Sequence, residues 1–308
     1  MKTKIWLAML ALYIIWGSTY LGIRFVVETI PPFLSAAIRF FISAVIILAW
    51  RKRAGDPWPT LRQWRDASIV GLFLLAGGNG LVSFAEQTIP SGIAALVVGT
   101  TPLWLTTFEA LRPGGVKPGW QSILGLVVGF FGIYLLVGPG LSGEELHLDP
   151  LGTITIIMAP LLWSIGSIYS KNADMPKSTL MWTGMQMAVG TVGLFLLSAL
   201  TGELPRFDLA AVSLNSWLGL LYLILIGSLV GFVAYAWLLR NAPIALVSTY
   251  AYVNPVVAIF LGAWLAQEVI TGRILVAALV IIGAVVVINL SKQAKIIQKE
   301  EVIAPTAE

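Results

Sequence analysis

Arg39 and Glu86 are ionisable side chains placed within or beside long apolar segments of the chain. Arg39 interrupts the run from Phe33 to Trp50 and, at 1.5 Å per helical residue, would lie about 9 Å inside it. A charge at such a depth in hydrocarbon costs roughly 2.5 kcal/mol or more unless it is paired or reaches water. We therefore expect a gating or structural role for both residues. Arg39 either faces the mouth of a cavity or is clamped to Glu86 or to backbone carbonyls.

Glu86 also closes a stripe of polar side chains. Asn79, Ser83, Glu86 and Gln87 stand at positions i, i+4, i+7 and i+8, which share one face of a helix. In lipid such a face must contact protein or water. The stripe predicts either a cavity wall or a contact that joins two helices.

Aromatic rings with polar tips recur deep within the apolar segments. Aromatic belts at the two membrane interfaces account for many of the 12 Trp and 8 Tyr residues, but not for those far from a segment end. The deeper aromatic residues and two amides are our candidate substrate-binding residues, with packing as the alternative: Trp16, Asn79, Trp104, Trp163, Tyr235, Tyr252 and Asn254.

Proline within an apolar segment predicts a bend. Pro102, Pro160 and Pro255 each lack a backbone donor, so each would kink a helix and free the carbonyl four residues earlier. Bends of this kind suit hinges in a moving bundle, although proline is also common in ordinary membrane helices. We expect Pro102 and Pro255 to have a gating or structural role.

Gly125, Gly129 and Gly132 form a stripe of small residues on one helical face. Such stripes allow close approach of a second helix. The stripe predicts tight packing within the molecule or, as an alternative, a dimer face.

Residue types for catalysis and metal binding are scarce. The chain has no Cys and a single His, His147, and it has no HExxH or nucleotide-binding loop. We expect no catalytic residues, no metal site and no cofactor, and hence not an enzyme. The net charge of +4 comes from short basic loops, so no nucleic-acid partner is expected either.

The segments that hold these residues are too apolar for a soluble protein. The chain of 308 residues is 58% apolar and 11% charged, against about 45–50% and about 25% in soluble domains. A helix spans a bilayer with about 20 apolar residues. Ten such windows occur, at 5–23, 34–50, 67–85, 87–108, 118–143, 150–170, 178–202, 209–239, 241–267 and 274–291.

The connections between these windows are asymmetric in charge. With the N-terminus inside, fifteen Lys and Arg residues fall on the cytoplasmic side and three on the outside, namely Arg24, Arg206 and Arg273. Cytoplasmic loops of membrane proteins carry the excess of Lys and Arg. Ten spans with both termini cytoplasmic are therefore expected.

Two halves of the chain resemble each other. Trp16 recurs as Trp163, and Pro102 recurs as Pro255. Since each half has five spans, the second half must enter the membrane from the opposite side, as an inverted repeat. We expect an all-α bundle with a first repeat at 1–143, a second at 144–291 and a cytoplasmic tail at 292–308.

Several motifs resemble EamA-type members of the drug/metabolite transporter superfamily over roughly residues 5–290. They are Tyr13-Ile-Ile-Trp-Gly-Ser-Thr-Tyr20, Ala37-Ile-Arg-Phe40, Gly78-Asn-Gly80, Pro90-Ser-Gly-Ile-Ala-Ala95 and Tyr250-Ala-Tyr-Val-Asn-Pro-Val-Val257 with Glu268. The resemblance implies a 5+5 bundle in the cytoplasmic membrane whose central cavity opens alternately to each side. One departure is that Gly115 stands where the second half has Glu268.

The resemblance also implies a secondary transporter that exports amino acids or related small metabolites, as a monomer or weak homodimer. Import or facilitated diffusion of other amphipathic or drug-like compounds is the alternative, and a sensor or channel is a third possibility. An apolar, aromatic lining with a few amide and hydroxyl groups favours a neutral or zwitterionic substrate. Besides that small molecule, the only partner expected is the lipid bilayer.

Overall fold

A computed structural model describes the backbone of residues 2–115, 117–138 and 148–303 and the side chains of residues 3–115, 117–138, 148–243 and 246–291. Every regular element in these ranges is a helix. Because these elements are all helical, the all-α fold class predicted from the composition is confirmed. His147 lies outside the described residues.

Ten helical segments follow one another along the chain. The first half contains α1 (Lys2–Val26), α2 (Pro32–Arg53), α3 (Leu61–Ala85), α4 (Ser91–Val98 as α4a and Thr101–Leu111 as α4b) and α5 (Trp120–Val137). The second half contains α6 (Pro150–Ser170), α7 (Thr179–Leu200), α8 (Leu214–Asn241), α9 (Ile244–Val247 as α9a and Tyr250–Leu265 as α9b) and α10 (Gly272–Ile303).

Nine of these described helices are long and apolar enough to cross a membrane, and α9b is a shorter apolar helix of 16 residues. The ten segments agree with the ten apolar windows of the sequence. One boundary differs, because α10 continues as a helix to Ile303 beyond the window that ends at residue 291. Its Lys, Gln, Glu and Ala residues are good helix formers, so no apolar partner is needed to start the extension.

The two halves form inverted five-helix repeats with reciprocal packing. Helix α1 packs on α8 and α9b, and its counterpart α6 packs on α3 and α4b. The remaining helices pair with their own counterparts, α2 with α7 and α5 with α10. In addition, α3 and α8 each contain an eight-residue π-helical segment, Leu72–Asn79 and Leu223–Val230.

The glycine stripe of α5 packs within the molecule. A Cβ atom on Gly125 would lie 2.6 Å from Ile288 of α10, and one on Gly132 would lie 2.7 Å from Ile281. The other face of α5 is apolar and open, with Val127 63% exposed, as expected for a surface in lipid. The stripe therefore serves the predicted close helix packing.

Pro102 does not kink a continuous helix as the sequence predicted. Helix α4 breaks at Gly99 and Thr100, and Pro102 sits in the first turn of α4b, where its missing N–H is tolerated. The Thr101 hydroxyl donates to the Val98 carbonyl at 2.6 Å. Pro160 and Pro255, in contrast, lie inside α6 and α9b.

Loops at the end of the bundle where α1 begins carry most of the Lys and Arg residues of the described connections. We call this end the basic face and the other end the opposite face. At the basic face, Glu109 at the end of α4b forms an ion pair with Lys171, which follows α6.

Candidate functional site

Each half places a tryptophan against a glycine of the other half. A Cβ atom on Gly231, just after the π-helical segment of α8, would lie 2.5 Å from Nε1 of Trp16 on α1. A Cβ atom on Gly78, within the π-helical segment of α3, would lie 2.8 Å from Cε3 of Trp163 on α6. Since real Cβ atoms do not approach so closely, glycine is required at both crossings. The two repeats therefore contact each other in the same way twice.

Aromatic side chains surround Trp16. Its ring centroid lies 5.0 Å from that of Tyr235, 5.1 Å from Tyr250 and 5.4 Å from Phe232. Nearby, the hydroxyls of Tyr13 and Thr249 are hydrogen-bonded. The structure thus brings together Trp16 and Tyr235, and it adds Tyr250, which the spacing of the sequence did not single out.

The remaining predicted substrate-binding residues are distributed over other helices. Trp104 packs on Phe130 of α5 at 4.8 Å, away from the group around Trp16, and its buried indole N–H has no partner among the described residues. Asn254 of α9b is buried, and its side-chain oxygen is also unpaired there. Asn79 is half-buried at the end of the π-helical segment of α3, next to the Gly78 that contacts Trp163.

Tyr252 lies on α9b, half-buried against the largest apolar cluster. It is therefore on the same helix as Tyr250, but it has no ring contact with the group around Trp16 in the described structure. Its role as a substrate contact remains a prediction.

Arg39 is buried in the interior of α2, only 6% exposed. Its Nε donates to the Ser228 hydroxyl of α8 at 2.8 Å, and its guanidinium lies 4.8 Å from the ring of Phe40. The predicted clamp to Glu86 is not formed, because both carboxylate oxygens of Glu86 lack a hydrogen-bond partner in the described structure. Instead, Arg24 donates to the backbone carbonyl of Glu86 at 2.9 Å, which holds the end of α3 against α1.

The predicted polar stripe of α3 holds only in part. Ser83 and Glu86 are buried, but Gln87 is exposed and its amide donates to the Phe84 carbonyl. The reason is that α3 stops at Ala85, so Gln87 belongs to the following turn and not to the helical face.

Two carboxylates at the opposite face bind helix N-termini across the two halves. Glu203, after α7, accepts hydrogen bonds from the backbone N–H groups of Phe33 and Leu34 at 3.2 and 2.8 Å. Glu268, after α9b, accepts from those of Ser91 and Gly92 at 2.7 and 3.1 Å. The first N–H groups of a helix have no partner within it and carry partial positive charge, so a carboxylate stabilises both.

Sequence reasoning treated Glu268 as part of a motif and noted Gly115 at the matching position of the first half, but it did not consider Glu203. A usable signal was present, since each acid follows an apolar segment by a few residues and the helices that they bind begin at Pro32 or directly after Pro90. Proline in the first turn of a helix marks an N-terminus that needs acceptors. No group of three or more potential metal ligands occurs within the described ranges.

Comparison with known proteins supports the architecture. The model of the EamA-like transporter family matches residues 3–138 and 150–290. A solved crystal structure is similar with a TM-score of 0.60 and 21% identity, over 94% of this chain and 97% of that chain. It shows the same fold.

Two relatives from Escherichia coli strain K12 extend the comparison. The chain is 40% identical over 299 residues to the uncharacterized inner membrane transporter YedA, and the alignment covers 97% of this chain and 94% of that protein. It is 24% identical over 292 residues to a probable amino-acid metabolite efflux pump, covering 89% and 91%. With both halves matched and ten apolar helices in two repeats, the chain belongs to the EamA-like transporter family.

Proposed function

We propose that this protein is a secondary transporter of the inner membrane that exports amino acids or related small metabolites by alternating access. The observation that carries the proposal is the pair of reciprocal tryptophan–glycine crossings, Trp16 on Gly231 and Trp163 on Gly78. Inverted repeats that contact each other in two equivalent ways can exchange conformations, which exposes a site between them to each side in turn.

The chemistry of the interior supports an amphipathic substrate. Rings of Trp16, Tyr235 and Tyr250 meet at the α1–α8–α9 contact, and buried polar atoms of Trp104 and Asn254 are unpaired within the described part of the chain. Apolar surfaces with a few polar groups are typical of sites for small organic molecules. The relative described as a probable amino-acid metabolite efflux pump has the substrate class that such a surface suits.

The loop charges support an orientation with both termini in the cytoplasm, which makes the basic face cytoplasmic. Reporter fusions check this proposal, using an enzyme active only outside the cytoplasm. We expect activity for a fusion at Arg206 and none for a fusion at Gly55. Activity at Gly55 alone would reverse the orientation.

The function is tested with purified protein in proteoliposomes loaded with single amino acids and assayed by exchange against labelled L-leucine or L-phenylalanine. We expect exchange that Tyr235→Phe and Trp16→Phe reduce several-fold. Tyr134→Phe and Trp120→Phe are matched controls, because these side chains are 48% and 73% exposed on α5. The absence of exchange with all amino acids, together with exchange of a lipophilic cation, would favour the drug-like alternative.

A further inference from the structure

Glu86 is a buried carboxyl group without a hydrogen-bond partner. The residue has no surface accessible to solvent, and both of its side-chain oxygens lack a donor within the described ranges. It is the first residue after α3, where the chain leaves this helix at the opposite face. Burial without donors disfavours the charged form of a carboxyl, so this environment favours the neutral, protonated acid.

The groups that face Glu86 from the neighbouring elements add to this effect. Glu268, after α9b, is close enough for its negative charge to act on Glu86. Tyr20 of α1 also faces this carboxyl, and a tyrosine carries no positive charge in either of its protonation states. Burial, and then the like charge of Glu268, therefore raise the pKa of the Glu86 carboxyl well above its usual value.

Arg24 of α1 is the cation that faces Glu86 in the described structure. Its Nη1 donates to the backbone carbonyls of Glu86 and Gln87, at 2.9 and 3.2 Å, and both carboxylate oxygens of Glu86 remain without a donor. On the other neighbouring helices, Arg39 donates to α8, and Asp149 accepts from the start of its own helix α6. Arg24 is therefore the group with which an ionised Glu86 would pair after turning toward water.

The two halves of the molecule meet at this carboxyl. Glu86 belongs to the first half and Glu268 to the second, and Glu268 accepts hydrogen bonds from the N–H groups of Ser91 and Gly92 in the first half. These bonds break if the halves separate at the opposite face. The same movement removes Glu268 from Glu86 and admits water to it, which reverses both causes that favour the neutral acid.

We propose that Glu86 is a proton-binding site that couples opening of the opposite face to pH. In the conformation described here its carboxyl is the neutral acid. When this end opens, the O–H bond breaks, the proton passes to water, and the carboxylate that remains pairs with Arg24. An acidic medium at this face therefore favours the closed end, and an alkaline medium favours the open end. The inference goes beyond the proposed function, although its coupling step rests on alternating access.

The protonation state is measured on the purified full-length protein by infrared spectroscopy, from the C=O stretching band of neutral carboxyl groups at neutral pH. We expect this band in the wild type and its loss or clear reduction in Glu86→Gln. Glu109→Gln is the matched control, because Glu109 forms ion pairs with Arg112 and Lys171 at the basic face. It should leave the band unchanged.

A wild-type spectrum without a neutral-carboxyl band would overturn the inference, and so would an undiminished band in Glu86→Gln. If Glu86→Gln does not fold, Glu86→Asp takes its place. The aspartic acid should shift the band, because its carboxyl has different surroundings, and an unshifted band would assign the signal to another residue and reject the site.

Unfolding temperatures measured over a range of pH give a second result with a defined sign. Because the pKa of Glu86 is raised in the folded protein, its contribution is most favourable below the pKa of an unfolded Glu, about 4.3. The contribution is lost as the pH rises from there through the pKa of the folded carboxyl. Glu86→Gln has no charge to bury, so its unfolding temperature should rise relative to the wild type over this range.

Glu109→Gln should show the reverse trend, because its ion pairs form only when the carboxyl is ionised. A Glu86→Gln variant that loses stability relative to the wild type as the pH rises would mean that Glu86 is a stabilising anion. That result would overturn the inference.

Coupling to opening is measured by thiol labelling of Ser91→Cys from the opposite side of oriented proteoliposomes. Thr201→Cys, exposed at the same face, corrects for the ionisation of the thiol and for the reagent. We expect the ratio of the two labelling rates to rise at least about tenfold between about pH 5 and about pH 9, as a difference of one pKa unit between the closed and open ends requires. In Glu86→Gln, which mimics the neutral acid, the ratio should stay low at both pH values.

The same pH dependence in both backgrounds, or none in the wild type, would contradict the proposal. These outcomes are separate from those of the proposed function. Amino-acid exchange without a neutral Glu86 would leave a transporter and remove the proton site. Opening that depends on Glu86 and on pH, without exchange of any amino acid, would retain the proton site and remove the proposed substrate class.

Discussion

Turns with a residue of positive φ follow helices at both ends of the bundle, but the hydrogen bonds formed by the next residue differ between the ends. At the opposite face, α7 is followed by Gly202, whose φ is 69°, and α9b is followed by Gln267, whose φ is 54°. A glutamate comes directly after each of these two residues. Glu203 and Glu268 then bind two N–H groups each at the starts of α2 and α4a. Both contacts join one half of the molecule to the other.

The corresponding turns at the basic face lack this pair of contacts. Gly55, with a φ of 92°, precedes Asp56, but the carboxylate of Asp56 accepts from Arg51 at the end of the preceding helix α2, in the same half, at 2.8 Å. Gly114, with a φ of 71°, precedes Gly115, which has no side chain. A Cβ there would lie 1.8 Å from the Glu109 carbonyl, so this turn also excludes a carboxylate at that position.

The comparison teaches that the two ends of the bundle are joined across the halves by different contacts. At the opposite face, carboxylates bind the N–H groups at the starts of two helices. At the basic face, Glu109 forms an ion pair with Lys171, and the Asp66 carboxylate accepts hydrogen bonds from the Tyr169 hydroxyl and the Asp174 N–H. We expect each set of contacts to break when the repeats separate at that end.

The largest effect is expected from Glu203→Ala. Glu203 is 6% exposed, so its removal leaves two buried N–H groups of α2 without acceptors. The free energy of unfolding should fall by about 2–3 kcal/mol, measured by denaturation in detergent. Glu203→Gln should lose less, because one oxygen acceptor remains, and a Glu203→Gln variant as stable as the wild type would contradict a charge-dependent contact.

Glu268→Ala should have a similar but smaller effect, about 1.5–2 kcal/mol, because Glu268 is only partly buried. The same denaturation experiment compares it with Thr201→Ala, a loop change outside the helix contacts of this acid. A loss for Glu268→Ala no greater than that of the control would show that the α4a contact contributes nothing.

Asp56→Asn at the basic face should cost less, about 0.5 kcal/mol, as for exposed ion pairs. The guanidinium of Arg51, and then the Ser178 hydroxyl, lower the pKa of Asp56 below its usual value. The contribution of this carboxylate to the free energy of unfolding is therefore fully present above its pKa in the unfolded chain, about 3.9. It is lost as the pH falls through the lower pKa of the folded protein. Unfolding curves of wild type and variant should converge in that acidic range, and a difference that grows there would contradict the assignment.

The smallest effect is expected from a change of backbone conformation in the turn before Glu268. Gln267 has a φ of 54°, in the left-handed region that favours glycine. Gln267→Gly should remove this strain and raise the free energy of unfolding by about 0.5–1 kcal/mol, with transport unchanged. A destabilised variant would mean that the Gln267 side chain makes a contact worth more than the strain.

Much of this architecture could be predicted from the sequence. Ten apolar windows, nine of them free of charge, predicted the ten helices, and the spacing of Trp16 and Trp163 predicted the two halves, because both features depend on local hydrophobicity and residue identity. The sequence could not decide whether Arg39 is clamped to Glu86. The sequence shows that both side chains are costly in lipid, but the choice between Ser228, a ligand and Glu86 depends on how α2 and α3 pack on α8.

Backbone details were equally inaccessible. The break at Gly99 changes Pro102 from a kink into a helix start, and the π-helical segments of α3 and α8 change which residues share a face. Neither break nor π-helix follows from hydrophobic periodicity, because both are set by close contacts between helices, such as Trp163 on Gly78.

The most direct test of alternating access is reciprocal labelling at the two ends of α4. Ser91→Cys lies at the opposite face and Thr107→Cys near the basic face of this Cys-free chain, with the lipid-facing Val127→Cys as the control. A membrane-impermeant thiol reagent is added to each side of oriented proteoliposomes, with and without Glu268→Gln. We expect Glu268→Gln to speed labelling of Ser91→Cys from the opposite side and to slow labelling of Thr107→Cys from the basic side. Faster labelling at both positions, or no change at either, would contradict the account.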